Sequence, residues 1–325
     1  MINQVSRNDI EAARKRLHGY AVKTPLLWFP VLDEAAGCSV LVKPESLQRT
    51  GSFKFRGAFN RLSLIPDEVR RYGVVACSSG NHAQGVAAAA GILGMEATIV
   101  MPADAPAIKL QRTRDLGAEV VTFDRELDDR DAIAAEICAK TGATFVHPYN
   151  DAGVIAGQGT VGVELAEQAH AMGILPSAVL ACTGGGGLAS GIALALKSDL
   201  PDCHFHTVEP AGFDDYARSL AAGERVENPS LSGSLCDAIL TNMPGQVSFS
   251  ILKDHAGRGL VVTDEEALAA VAFAFRELKL VVEPGGAVAL AAVLSGKLDS
   301  KGQPVGIVLS GGNIDPAMLQ RALAA

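Results

Sequence analysis

The chain predicts an α/β fold in which two parallel or mostly parallel sheets carry helices on both faces, and three observations predict it. Short apolar runs alternate with helical patterns at close spacing, which is how a parallel sheet with crossover helices reads in sequence. The alternation runs in two stretches, separated by Asn150-Asp151-Ala152-Gly153, a polar and small-residue segment that reads as a hinge. Polar or glycine-rich clusters follow directly on several apolar runs, at residues 78–82, 183–188, 209 and 310–313. In open parallel sheets, ligands bind beyond the carboxyl ends of the strands.

Asn8-Asp9-Ile10-Glu11 offers a cap for a helix expected to run to about residue 18, since such side chains satisfy helix-start amides. Thr24-Pro25 returns the chain to an extended form, because proline disfavours helical backbone in the residue before it. Residues 39–42 read as a strand ended by Lys43-Pro44-Glu45. Residues 74–77, 97–101, 119–123 and 145–146 read as strands, with helices at 81–93, 105–116 and 129–140 between them. Pro106 suits the first turn of its helix and Gly117 the end. Beyond the hinge, a helix is expected from about 160 to 171, a strand at 178–182, a helix to about 197 and a strand at 205–208. Residues 223–244 are turn-rich. Residues 264–278 read as a helix whose acidic first turn complements the helix dipole. Glu283-Pro284-Gly285-Gly286 turns into another helix, and 305–309 read as a last strand. The chain ends soon afterwards, so an appended regulatory domain, and amino-acid feedback through it, are not expected.

Aromatic residues make up only 5% of the chain, so alanine and small aliphatic residues must fill much of the interior. A net charge of −8 argues against a general nucleic-acid binder, which needs a basic face. It leaves room for a locally basic pocket. The six cysteines (Cys38, Cys77, Cys138, Cys182, Cys203 and Cys236) are scattered and form no C-x-x-C pair. Several lie in strand-like runs, so buried free thiols are expected rather than a zinc site. The first residues carry no charged-then-apolar leader, and no apolar run reaches membrane-spanning length. A cytoplasmic protein with no membrane and no nucleic-acid partner is expected.

Thr50-Gly51-Ser52-Phe53-Lys54-Phe55-Arg56-Gly57-Ala58 sets a lysine directly after an aromatic residue, at the start of a helical pattern. Alone, it reads as an ordinary surface lysine. Its company changes that reading. Ser78-Ser79-Gly80-Asn81-His82 gathers two hydroxyls, an amide and an imidazole at a helix start. Capping explains one serine, whereas the whole cluster suits a small carboxylate. Cys182-Thr183 leads into Gly184, Gly185, Gly186 and Gly187, then Leu188. A run of glycines exceeds what a strand-to-helix turn needs and costs stability, but a backbone nest at a helix N-terminus suits a phosphate. No Lys-Ser or Lys-Thr follows, so this is not a P-loop, and the dinucleotide spacing is only loosely met. An amine able to form a Schiff base, an anion loop and a phosphate nest together describe pyridoxal-phosphate chemistry. A non-catalytic α/β protein that binds a phosphate ligand is the reading from a different class, and such a protein has no use for Lys54.

In this order, the segments 52–58, 78–82, 184–187 and Ser310-Gly311-Gly312-Asn313 closely resemble the motifs of the threonine/serine dehydratase and serine racemase family. These are pyridoxal-phosphate enzymes of the tryptophan-synthase β-like fold, and the resemblance runs from about Thr24 to Asp315. It implies that Lys54 carries the cofactor and later takes the substrate α-proton. Phe53 would pack on the pyridine ring, Asn81 would bond the ring hydroxyl, and Gly184, Gly185, Gly186, Gly187 and Leu188 would bind the phosphate. Ser310, which alone reads as a strand-end hydroxyl, would meet the ring nitrogen. Ser78, Ser79, Asn81 and His82 would lie by the substrate carboxylate, and Ser79 matches the second acid/base of the racemases. A neutral hydroxyl at the ring nitrogen makes a milder electron sink than a carboxylate, which suits expulsion of a β-hydroxyl.

The implied reaction is elimination of water and ammonia from a β-hydroxy amino acid such as L-threonine or L-serine, giving a 2-oxo acid. Serine racemase, 3-hydroxyaspartate dehydratase and a dehydratase of hydroxyectoine breakdown are alternatives within the class. The segment from Glu209 to Asp215 reads on composition as a strand end and an acidic helix start. The resemblance to racemase-like members implies instead that Glu209, Asp215 and the Phe213 carbonyl hold Mg2+ or Ca2+, hard cations that take oxygen ligands. It also implies a homodimer, with residues 1–70 and 150–325 as the larger unit and 71–149 as a small mobile one on the substrate side. Two departures bear on substrate choice: Cys236-Asp237-Ala238 stands where many members have Ala-Asp-Gly, and residues 283–286 are unusually glycine-rich. Arg130 falls where some members place a residue reaching for substrate, and reads equally as a solvated arginine at a helix start.

Overall fold

The alternating patterns resolve into two sheets in a computed structural model that describes residues 5–324 apart from 79, 106, 125, 126 and 231. In chain order the strands are Leu27–Trp28 (β1), Val40–Pro44 (β2), Val74–Cys77 (β3), Ala97–Pro102 (β4), Glu119–Phe123 (β5), Thr144–Phe145 (β6), Ala178–Cys182 (β7), His204–Pro210 (β8), Leu260–Val262 (β9) and Val305–Leu309 (β10). The larger sheet has the order β1-β2-β10-β7-β8-β9, and only the β1–β2 pair is antiparallel. The smaller sheet, β5-β4-β3-β6, is parallel throughout. Strands β2, β3, β7 and β10 are buried along their whole length. That accounts for the unbroken apolar runs of β3, β7 and β10, since helices cover both faces of a parallel sheet.

The helices are Arg7–Leu17 (α1), Pro30–Ala36 (α2), Lys54–Ser63 (α3), Asp67–Arg70 (α4), Asn81–Ile92 (α5), Ala107–Asp115 (α6), Arg130–Thr141 (α7), Ala152–Met172 (α8), Gly187–Asp199 (α9), Asp215–Ala222 (α10), Gln246–His255 (α11), Asp264–Phe273 (α12), Pro284–Leu294 (α13) and Pro316–Ala324 (α14). Helix α1 is capped by Ser6 in a box with Asp9, two residues before the cap expected at Asn8. Helix α8 starts at Ala152, capped by Asp151, eight residues before its expected start. Gly153, Gly157 and Gly159 lower intrinsic helix propensity there. Two of them are needed because neighbouring backbones press on α8. A Cβ at Gly157 would lie 2.5 Å from the Arg56 carbonyl oxygen, and one at Gly159 would lie 2.9 Å from that of Gly191. Tertiary packing overrides propensity. Helix α12 gives way at Ala274 to a π-turn that closes at Lys279, whose backbone is left-handed. Helices α2, α11 and α14 and the short strands β1 and β9 had no distinct sequence signal.

One core cluster lies around the larger sheet, and a second under the smaller sheet takes in Phe55, Phe59 and Leu62 of α3. In that cluster helix α3 packs between α5 and α8. A buried ion network fixes it on its other side. Arg56, fully buried, donates from Nε to Glu45 Oε2 at 2.8 Å and from Nη1 to Glu164 Oε1 at 2.7 Å. Lys43 Nζ reaches Glu164 Oε2 at 2.8 Å and the Thr24 carbonyl at 2.7 Å. Two cations balance two carboxylates, and although burial pushes the Arg56 guanidinium down, Glu45 and Glu164 hold it above its ordinary value. Among the described residues no helix is long and apolar enough to cross a membrane, and all six cysteines are free.

Removing one member of a buried ion network strands the opposite charges and costs about 3–5 kcal/mol. Arg56→Met should lower the denaturation midpoint in urea by a corresponding amount. A midpoint within experimental error of the parent would show that α3 is held by its apolar face alone.

Candidate active site

Lys54 opens α3, and the segment before it is fastened to the loop after β10. Ser52 and Gly311 form an antiparallel bridge. Phe53 N donates to Ser310 O at 3.1 Å, Gly312 N to Gly51 O at 2.9 Å, and Asn313 Nδ2 to Thr50 O at 2.8 Å. Thr50 and Gly51 both carry positive φ, at 64° and 75°, where the chain turns into this pairing. The lysine thus arrives at the carboxyl end of β10, in the middle of the larger sheet. From the other side α5 crosses so closely that a Cβ at Gly85 would lie 3.1 Å from the Lys54 carbonyl carbon. Lys54 Nζ donates to the Pro148 carbonyl at 3.1 Å and lies 5.2 Å from the centre of the Phe53 ring. Loss of hydration lowers this amine from 10.5 to about 8, against the opposing pull of Cys182 and Glu283. Burial disfavours the charged form, so the neutral amine becomes accessible near physiological pH.

Ser310 lies beside it, buried, with its Oγ accepting from Cys182 Sγ at 3.1 Å. Burial pushes the Cys182 thiol up to about 11, so it remains a donor. Asn81, the first residue of α5, donates from Nδ2 to Glu283 Oε1 at 2.6 Å and accepts from Asn313 Nδ2 at 2.7 Å. The structure therefore gathers Lys54, Ser310 and Asn81, and adds Glu283 and Asn313 behind them. Glu283, raised by burial to about 7, was read in sequence only as part of a turn.

Of the expected substrate residues, Ser78 directly follows β3 and its Oγ accepts from Gly80 N at 3.2 Å. Ser79 lies outside the described residues. His82 is buried with Nε2 3.0 Å from the Val146 carbonyl oxygen. Burial, and Lys54 after it, lower that imidazole to about 3. It brings no positive charge to a carboxylate. Arg130 begins α7 with an exposed side chain 3.6 Å from Asp131, and its carbonyl accepts from Cys77 Sγ at the end of β3.

The glycine run joins β7 to α9, and each glycine has a packing reason. A Cβ at Gly184 would lie 2.9 Å from the Ile239 carbonyl oxygen. At Gly185 it would strike the Tyr149 ring, at Gly186 the Tyr216 hydroxyl, and at Gly187 it would lie 2.5 Å from Gln158 Oε1. Close packing thus demands the glycines independently of any ligand. Tyr149, which had no sequence signal beyond a polar run at a strand end, walls the loop. Tyr216 Oη donates to Gly185 O at 3.1 Å or to Ser248 Oγ at 2.9 Å, and Ser248 Oγ donates to Gly185 O at 2.6 Å. The amides of Gly184 to Leu188 precede the first backbone bond of α9, from Ser190 N to Gly186 O. Such amides at a helix start favour an anion. The departure at Ala238 has a neighbour: a Cβ at Gly285 would touch the Ala238 Cβ at 3.4 Å, so the alanine and the glycine-rich turn face each other.

Glu209 and Asp215 are both buried. Glu209 caps α10, accepting from Tyr216 N at 2.7 Å and Ala217 N at 2.8 Å. Asp215 Oδ1 accepts from Asn228 Nδ2 at 2.6 Å, while its Oδ2 is buried with no hydrogen-bond partner. Burial raises Asp215 to about 7, and burial followed by Asp215 raises Glu209 well above the carboxylate range. Among the described residues no group of three or more His, Cys, Asp or Glu side chains is placed to hold a metal.

A desolvated amine, a buried neutral hydroxyl and a loop of free helix-start amides fit pyridoxal phosphate in chemistry and placement. The description "Pyridoxal-phosphate dependent enzyme" matches residues 18–311. L-Threonine ammonia-lyase of Thermotoga maritima is 43% identical over 98% of this chain and 78% of its own length. L-threo-3-hydroxyaspartate ammonia-lyase of a Pseudomonas species is 43% identical over 95% of this chain and 96% of its own. The solved structure of serine racemase from Dictyostelium discoideum superposes with a TM-score of 0.89 at 35% identity, over 96% of this chain and 99% of that one. With a matching fold, a fitting site and relatives along nearly its whole length, the chain belongs to the pyridoxal-phosphate-dependent enzyme family.

Proposed function

We propose that the protein is an ammonia-lyase that removes water and ammonia from L-threonine or L-serine to give a 2-oxo acid. The observation that carries this reading is one desolvated amine, Lys54, set beside a buried hydroxyl, Ser310, with glycine-loop amides at the adjoining strand end. The ammonia-lyase relatives support it. Pyridoxal phosphate, when bound, supplies an aldehyde carbon for an amine and a ring that draws electrons from the amino acid's α-carbon. Lys54 would hold that group and, once free, take the α-proton at Nζ. An amine near 8 does so close to neutral pH, where an ordinary lysine is almost wholly charged.

The remaining residues orient and bind. Phe53 would flank the ring, and Asn81, fixed by Glu283 and Asn313, would meet the ring hydroxyl. Ser310 would meet the ring nitrogen as a neutral group, and Gly184, Gly185, Gly186, Gly187 and Leu188 would offer amides to the phosphate. Ser78, Ser79 and the start of α5 would receive the substrate carboxylate. His82 would remain neutral and steady the Val146 carbonyl. Residues 71–149 would move as the smaller unit that shields the bound substrate from water. A β-carboxylate substrate such as 3-hydroxyaspartate is the second reading, favoured by the exposed Arg130 guanidinium beyond the end of β3.

The orphaned Asp215 Oδ2 supports a cation between Asp215, Glu209 and the Phe213 carbonyl, because Mg2+ and Ca2+ take oxygen donors of this kind. Such an ion would neutralise two buried carboxylates under α10, whose Tyr216 hydroxyl sits at Gly185 O. Free thiols throughout the chain suit a reducing compartment such as the cytoplasm. Exposed apolar side chains at Trp28, Val31, Leu47, Phe275 and Val281 suit a homodimer.

Purified protein assayed for 2-oxo acid should turn over L-threonine or L-serine faster than D-serine. Turnover of 3-hydroxyaspartate alone would overturn the substrate and keep the chemistry, and no turnover of any of them would sink the lyase reading. In cofactor-free protein, the Lys54 Nζ resonance should lose its proton as pH rises, with a midpoint near 8. A midpoint above about 10 would mean that the amine is as hydrated as a free one. Magnesium should raise the thermal midpoint of the parent by about 2–4 °C and leave Asp215→Asn unmoved. An equal response in both proteins would rule out Asp215 as a ligand.

A further inference from the structure

We propose that Gln158 is a cofactor-binding residue, whose carboxamide contacts the phosphate held by the glycine loop, directly or through one ordered water. The proposal rests on the pyridoxal-phosphate reading above. Gln158 lies on α8 with its side chain fully buried, and neither Oε1 nor Nε2 has a hydrogen-bond partner among the described residues. A carboxamide offers two donor hydrogens and an acceptor oxygen. Native interiors seldom leave such groups unpaired.

The chain nevertheless makes room for this amide. A Cβ at Gly57 would lie 2.9 Å from Gln158 Cγ, and one at Gly187 would lie 2.5 Å from Gln158 Oε1. Gly57 sits one turn beyond Lys54 on α3, and Gly187 is the first residue of α9. The carboxamide therefore occupies the wedge between the lysine helix and the phosphate loop. On both sides of it the backbones close up, since Gly157 abuts Arg56 of α3 and Gly159 abuts Gly191 of α9. A wedge filled only for packing would take leucine or methionine, which have similar volume and nothing to leave unpaired. An amide held in this wedge that bonds no protein group among the described residues is accounted for by a polar partner that arrives with the ligand. Phosphate oxygens accept hydrogen bonds. The loop amides of Gly184 to Leu188 supply some of those donors, and Gln158 Nε2 would supply another.

Phosphate dependence tests this. The full-length chain, stripped of cofactor, would be titrated with pyridoxal phosphate and with pyridoxal, which lacks the phosphate. Parent protein would be compared with Gln158→Met, Gln158→Leu and Gln158→Glu. In the Met and Leu variants, affinity for pyridoxal phosphate should fall about tenfold or more, as expected for losing a hydrogen bond to a charged group. Affinity for pyridoxal should stay within about twofold, because no phosphate contact is lost. Gln158→Glu sets a carboxylate against the phosphate dianion and should weaken pyridoxal phosphate further than either. The phosphorus resonance of bound cofactor should also shift in Gln158→Met, which keeps the side-chain volume if the leucine variant folds poorly. Equal losses for both ligands would make Gln158 a packing residue and overturn the proposal, as would no loss for either. A parent chain that binds no pyridoxal phosphate would instead overturn the functional reading on which the proposal stands.

Discussion

The ion network of Arg56, Glu45, Glu164 and Lys43 is what everything at the site leans on. It joins the end of β2, the first turn of α3 and the middle of α8, and all of it is removed from water. An ion pair of this kind is not a cheap source of stability, since apolar residues of the same volume often do as well. Its value here is positional. Guanidinium and carboxylates meet in a narrow set of geometries, so the network sets the register of α3 two residues away from Lys54.

The second constraint is the pairing of residues 50–53 with residues 310–313, which brings two distant segments of the chain together at the end of β10 in the larger sheet. Lys54 and Ser310 are adjacent because of it, although 256 positions separate them (310 − 54). The same pairing takes the lysine out of water, and its lowered affinity for a proton follows from that placement. Glycine at 85 lets α5 come equally close from the other side. The site is thus defined by close backbone approaches, and its chemistry is a consequence of how little water those approaches leave.

The alternation of strands and helices was legible because β3, β7 and β10 are continuous apolar runs with sharp ends, and these strands and β5 fall at their expected bounds. The larger misses have two physical causes. Helix α8 starts eight residues before its expected start because Asn150-Asp151-Ala152-Gly153 reads as a hinge, and Gly157 and Gly159, which lower helix propensity, in fact face backbones of α3 and α9. Short edge elements such as β1 and β9 carry too few residues for any period to show. At the site, the residues that were legible are those in clustered motifs at strand ends. Glu283, Tyr149 and Gln158 were not, because each gains its meaning only from a partner far along the chain. The glycine run was over-read in one respect: a phosphate was invoked to explain glycines that Ile239, Tyr149, Tyr216 and Gln158 already require.

Ser310 shows how a neutral residue can be given a fixed direction. A serine hydroxyl both donates and accepts, and in water it rotates freely between roles. Here Cys182, from the neighbouring strand β7, donates its thiol hydrogen to Ser310 Oγ. That thiol stays protonated across the physiological range because burial pushes it up to about 11. With one lone pair of Ser310 engaged by a donor that does not titrate away, its own hydrogen is free for an acceptor in the site. A ring nitrogen is such an acceptor. A carboxylate in its place would bring a charge that favours protonating the ring. The Cys182–Ser310 pair brings none, so in the proposed reaction it would leave the ring a milder electron sink, which suits loss of a β-hydroxyl.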